Sequence, residues 1–175
     1  VALSAPATIR IADGKTDLGQ LSLTVAGGRI DVSGTVSDTL NLKVDAPALP
    51  VALANIVAAD LDASGSLDAH ATIGGTTADP VAEFTLDGTQ LTARPLSDAG
   101  REPLDIKASG RFENKTLSVK ADISGIRELG PSQVTADVAL KDGAIAVDEV
   151  ALTSSVLTAR GDAVLKGDTL GLRLA

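Results

Sequence analysis

Apolar and polar residues alternate with a period of two along most of this chain, and the longest clean run covers residues 61–74. Its odd positions are Leu61, Ala63, Gly65, Leu67, Ala69, Ala71 and Ile73, all apolar or small. Its even positions are Asp62, Ser64, Ser66, Asp68, His70, Thr72 and Gly74. Successive side chains of a strand point to opposite faces, so the spacing predicts one long strand with an apolar face and a wet face. At about 3.3 Å per residue it would run roughly 40 Å, long for a globular strand.

The same design predicts a dozen or so strands. Leu21, Leu23 and Val25 alternate with Ser22 and Thr24, and Gly27-Gly28 supplies a tight turn into a strand carrying Ile30, Val32, Gly34 and Val36 on one face. A turn at Ser37-Asp38 leads to Leu40, Leu42 and Val44, and residues 8–12 before Asp13-Gly14 predict one further strand. The alternation breaks over 47–59. There Leu49, Leu53, Ile56 and Val57 fall at three and four spacing and Pro50 suits a first helical position, which predicts a short amphipathic helix laid over a rim.

After Ile73 the run Gly74 to Pro80 is turn chemistry. Ala82, Phe84 and Leu86 follow, and Asp87-Gly88 predicts a turn into another strand over 89–93. Residues 94–103 hold two prolines and four charges and are predicted as a loop. Leu104, Ile106, Ala108, Gly110 and Phe112 then pair through Glu113-Asn114-Lys115 with Leu117, Val119, Ala121 and Ile123. A longer connection, 125–131, precedes Val134, Ala136, Val138 and Leu140, which turn at Asp142-Gly143 into Ile145 and Val147. The stretch from Leu157 to Leu174 repeats the scheme around Gly167-Asp168.

Aligning the phases exposes a loose repeat. The segments Ile30 to Val36, Leu61 to Leu67, Ile106 to Phe112 and Leu157 to Ala163 each place a glycine (Gly34, Gly65, Gly110, Gly161) on the apolar face, flanked by apolar residues two positions away. Glycine weakens a strand interior, so the placement implies close backbone approach or a bend. Two readings stand side by side: small residues let two sheets pack tightly, or they mark where a sheet curls and leaves a trough.

Composition narrows the classes. Of 175 residues 44% are hydrophobic, which excludes a disordered tail, yet there are two Phe and no Trp, Tyr, Met or Cys. An aromatic content of 1% cannot supply the interfacial girdles of a transmembrane barrel. A net charge of -8 disfavours nucleic acid and anionic membrane surfaces as partners. No run of 18 apolar residues occurs, so no membrane span is expected in this segment, and the start at Val1 suggests an internal fragment of a longer chain. The single histidine, His70, falls on the wet face, and one histidine cannot build a triad or a histidine zinc site. Asp13-Gly14, Asp87-Gly88 and Asp142-Gly143 fit turns better than calcium loops, and no phosphate-binding glycine loop is present. The expectation is a protein that is not an enzyme and needs no cofactor or metal.

Several motifs in order resemble the TamB family of AsmA-like proteins. They are Ala48-Leu49-Pro50-Val51-Ala52-Leu53-Ala54, Ala63-Ser64-Gly65-Ser66-Leu67, Ile73-Gly74-Gly75-Thr76, Asp79-Pro80 before Phe84-Thr85-Leu86-Asp87-Gly88, and Pro103-Leu104-Asp105-Ile106-Lys107-Ala108-Ser109-Gly110-Arg111-Phe112. The resemblance covers Gly28 to Leu140; the near-absence of aromatics departs from it. It implies an all-β fold, a long, mostly antiparallel sheet folded lengthwise into an open hydrophobic trough (a β-taco), with residues 1–175 one segment of it. It implies a periplasmic location in a diderm bacterium, a parent chain anchored in the inner membrane, and the outer-membrane barrel TamA as that parent's partner. The implied role is to shelter phospholipid acyl chains or outer-membrane protein strands between the membranes, on a face lined by Leu21, Leu23, Val25, Ile30, Val32, Val36, Leu40, Leu42, Val44, Leu61, Leu67, Ile73, Phe84, Leu86, Leu104, Ile106, Phe112, Leu117, Val119, Ile123, Val134, Val138 and Leu140. The competing class is a structural stalk or adhesin segment with a filled core. Capture of a client strand along a sheet edge is a third option.

Overall fold

The computed structural model describes residues 2–3, 8–25, 27–56, 58–141, 144–166 and 169–174; the expected turns at Asp142-Gly143 and Gly167-Asp168, and Val57, lie outside the described residues. Period-two alternation has produced strands throughout. They are β1 (Ala2–Leu3), β2 (Ile9–Ala12), β3 (Lys15–Val25), β4 (Gly28–Val36), β5 (Leu40–Pro50), β6 (Ser64–Gly75) and β7 (Pro80–Thr92). After the only α-helix among the described residues, α1 (Arg94–Asp98), come β8 (Leu104–Glu113), β9 (Thr116–Ser124), β10 (Ser132–Lys141), β11 (Ala144–Thr153), β12 (Thr158–Lys166) and β13 (Thr169–Leu174).

All thirteen strands belong to one open antiparallel sheet. From β3 onward each strand pairs with the next in chain order, while β1 and β2 share the outer edge of β3, Ala2 opposite Thr24 and Ile9 opposite Leu18. The two rims differ. One carries short turns such as 13–14, 37–39 and 114–115; the other carries 51–63, 93–103, 125–131 and 154–157.

A sheet that buries neither face against a second layer should expose more surface than a closed domain, and this one does. A compact 17.5 kDa chain would expose about 7,900 Å², whereas this chain exposes 11004 Å². Among the described residues the buried apolar ones are four alanines, Ala46, Ala63, Ala139 and Ala146, and no large side chain is fully buried.

Four local expectations are corrected. The short helix expected over 47–59 is a six-residue 3₁₀ helix, Val51–Ile56, that starts only after β5 has run through Pro50, and it has Leu53 half-buried but Ile56 77% exposed. The long strand does not begin at Leu61, which lies in a second 3₁₀ turn, Ala59–Leu61. Asp62 adopts the left-handed conformation (φ 48°) and breaks the extended run. The Asn55 side chain then takes both backbone groups of Ala63: Ala63 N–H donates to Asn55 Oδ1 at 2.7 Å, and Asn55 Nδ2 donates to the Ala63 carbonyl at 3.0 Å. Asp87-Gly88 is not a turn. Both residues pair across β7, with Asp68 and Leu67 on one side and Lys107 and Ile106 on the other, and the strand continues through a bulge to Thr92. Finally, the 94–103 loop contains α1, and ion pairs Arg101–Glu128 and Arg127–Glu102 tie it to the 125–131 connection.

Gly28 shows how closely the turn positions were legible. It is already in β4, paired with Val25, and Gly27 (φ 88°) supplies the left-handed position.

Candidate functional site: the apolar face of the sheet

Opposed residues in an antiparallel sheet share a face, so the register decides whether the alternating runs combine. They do. One transverse row runs Leu21, Val32, Val44, Ala71, Phe84, Gly110, Val119, Ala136, Val150, Gly161, Leu174. It crosses eleven strands, a span of about 48 Å at about 4.8 Å per strand. A neighbouring row runs Gly34, Leu42, Ile73, Ala82, Phe112, Leu117, Val138, Val147. A third, nearer the rim of long connections, runs Leu49, Leu67, Gly88, Ile106, Ile123.

Of the 23 residues expected to line this face, all but Leu61 lie in strands, and 22 are half-buried; the side chain of Leu140 lies outside the described residues. Half-burial is what lateral neighbours in one layer give. A filled sandwich core would bury such residues almost completely.

Three of the four apolar-face glycines now have causes within the sheet. Gly34 (φ 125°) sits where a Cβ would overlap the Asn41 carbonyl of the adjacent strand. Gly65 (φ 118°) faces the Gln90 and Thr89 carbonyls, at 2.7 and 2.9 Å from a would-be Cβ. Gly110 lies beneath the Phe84 ring, whose atoms would be 2.5 Å from a Cβ, so one aromatic covers the gap that its opposed glycine leaves. Packing between two sheets, one reading of the glycines, is not the arrangement observed. Phe84→Ala is expected to lower stability by about 2 kcal/mol, around half the cost for a fully buried Phe, as read from urea unfolding.

Residues that the pattern missed extend the same face: Leu91 opposite Leu104, Leu152 opposite Val134, and Val150 opposite Ala136. The signal for them was a three-residue step in a period-two run, as from Gly88 to Leu91 and from Val147 to Val150. There the register shifts by one.

The other face is a ladder of charges. Arg111 pairs with Glu83 across the strands and with Glu113 along its own, and Lys107 Nζ lies 3.4 Å from Asp87. Glu113 first, then Glu83, push the Arg111 pKa further up. His70 is exposed, as expected, and its Nδ1 lies 2.6 Å from Asp45 Oδ1. That hydrogen bond, assisted by Lys43, holds the Asp45 carboxyl below its ordinary value. Asp31 is lowered chiefly by the Ser22 hydroxyl, which donates to it at 2.5 Å, and then by Arg29.

A depressed carboxylate stabilises the fold above its unfolded value and loses that contribution as pH falls through its folded one. Unfolding midpoints should therefore drop below pH 3.8. Asp31→Asn and Asp45→Asn should flatten that drop in denaturant titrations run from pH 2 to 6.

Shallow hollows also lie on this polar face. One, about 570 Å³, is bordered by Glu83, Thr85, Ser109, Arg111, Lys120 and Thr135. A twisted sheet is saddle-shaped, so hollows on its polar side follow from twist alone. Among the described residues no three His, Cys, Asp or Glu gather as a metal site, and no helix is long and apolar enough to cross a membrane.

The fold and the face define a class: a single-layer antiparallel meander with one face aliphatic and one charged. Family models, curated proteins and solved structures yield no match to this chain.

Proposed function

We propose that this chain is a segment of a TamB-like periplasmic protein, in which the sheet folds lengthwise into a trough and its apolar face shelters phospholipid acyl chains or outer-membrane protein strands. The observation that carries this reading is the continuous set of half-buried aliphatic rows with no second layer over them. A contiguous apolar surface larger than a few hundred Å² is a binding surface far more often than an idle one.

The chemistry suits lipid. Each buried methylene is worth about 0.8 kcal/mol, so a phospholipid of some 30 methylenes would be held too firmly for transfer if fully enclosed. Half-shelter lowers that hold. A lining of Val, Leu, Ile and Ala without polar anchors offers no preferred stopping point, so a chain can slide along the rows. TamA is the corresponding outer-membrane partner of the parent protein under this reading.

Lipid mass spectrometry on the chain purified without detergent tests the proposal. Co-purified phospholipid is the expected result; a lipid-free chain that also leaves a hydrophobic dye dark when folded would sink it and favour a structural stalk.

A further inference from the structure

We propose that the carboxylates of Asp68 and Asp105 act as latches that set the curvature of the sheet, and thereby the width of its apolar face. For the consequence to the apolar face, the inference rests on the trough reading above.

Among the described residues four strands carry a bulge in which two of their residues oppose a single residue of the following strand; that of β7 also shows toward β6, where Gln90 and Leu91 lie against Gly65. Gly19 and Gln20 of β3 lie against Ser33, and Pro47 and Ala48 of β5 against Asp68. Thr89 and Gln90 of β7 lie against Asp105, and Asp148 and Glu149 of β11 against Asp162. All four bulged strands run in the same direction, toward the rim of long connections. A bulge bends its strand and increases the local right-handed twist. Placed only on strands of one direction, the bends add across the sheet instead of cancelling.

In β5 and β7 the device is the same. Ala48 (φ 49°) and Gln90 (φ 53°) are non-glycine residues in the left-handed region, a conformation disfavoured for a residue with a Cβ. In each case the strained residue donates its N–H to the carboxylate of the single opposing aspartate. Ala48 N–H reaches Asp68 Oδ1 at 3.0 Å, and Gln90 N–H reaches Asp105 Oδ1 at 2.8 Å. Without the carboxylate, that hydrogen bond no longer offsets the strain. The extra residue then relaxes toward extended geometry and the strand straightens.

The test uses the full chain with Asp68→Ala and Asp105→Ala combined, read by small-angle X-ray scattering and circular dichroism. The expected result is retained strand content with a maximum dimension longer by several ångströms. Adding Ala48→Gly and Gln90→Gly should reverse that change, because glycine holds the left-handed conformation without a carboxylate. A folded double variant with unchanged scattering, or a change that the glycines do not reverse, would overturn the proposal. If the double variant fails to fold, Asp105→Ala alone and with Gln90→Gly decides: recovery of folded strand content by glycine supports the latch, and no recovery overturns it. Scattering reports curvature whether or not lipid binds, so a lipid-free chain with these responses would sink the trough and leave the latch standing.

Discussion

Ile106→Asp is expected to reduce phospholipid and hydrophobic-dye binding by at least tenfold while leaving the chain folded. Ile106 lies inside the row Leu49, Leu67, Gly88, Ile106, Ile123, with Leu104 and Ala108 on the same side of its own strand. A carboxylate there keeps its hydration shell, and a bound acyl chain would have to strip that shell or forgo contact with two or three methylenes on either side. At about 0.8 kcal/mol per methylene the second course already exceeds tenfold in affinity. The site is half-exposed, so the charge itself can reach water and the fold survives. Ser109→Asp, on the charged face between Thr85 and Lys120, is the matched control and should bind as the parent does. Equal binding by both variants would mean that the aliphatic rows are not the binding surface. Leu67→Asp, in the same row, should behave as Ile106→Asp does.

Gly34→Ala should cost about 3 kcal/mol or more, within the range where single substitutions point to backbone conflict. Two effects combine. The φ of 125° is disfavoured for any residue with a Cβ, and the new methyl would overlap the Asn41 carbonyl, which belongs to the neighbouring backbone and cannot swing aside. Gly74→Ala provides the contrast. Its φ is ordinary and the nearest atom to a would-be Cβ is the Leu40 carbonyl at 3.9 Å, so alanine there should stabilise by about 0.5–1 kcal/mol by removing freedom from the unfolded chain. Denaturant midpoints of the two variants should move in opposite directions. A Gly34→Ala protein as stable as its parent would contradict the close approach of β4 and β5.

Most of the strand arrangement was legible because period two is a strong signal wherever one face is aliphatic. The hairpins around Asn114-Lys115 and Ser37-Asp38 illustrate it, since the pattern and the turn chemistry agree there. Two of the errors, over 47–59 and at Asp87-Gly88, share one physical origin. A bulge inserts a single extra residue, so apolar positions step by three once and then resume by two. Around Leu49 that slip imitated the spacing of a helix, and around Leu91 it imitated a new strand after Asp87-Gly88. Read as a slip, the same spacing places Leu49 and Leu91 on the aliphatic face. The apolar face itself could be assembled from the sequence, but its continuity could not, because continuity depends on register between strands. The Asp45–His70 contact was hidden for the same reason: the two residues are 25 apart in the chain and meet only through the β5–β6 register.

The chain-order pairing of β3 through β13 has a consequence for how the molecule is made. No strand waits for a distant partner, so the entropic toll of closing long loops, which slows most β-proteins, is largely avoided. Each newly emerged strand can dock on the one before it, and the growing edge is the only unfinished part at any moment. Unfolding should run the same course backwards, fraying from an outer edge inward. In such an array the number of strands is a free variable, and lengthening the protein requires only more of the same step.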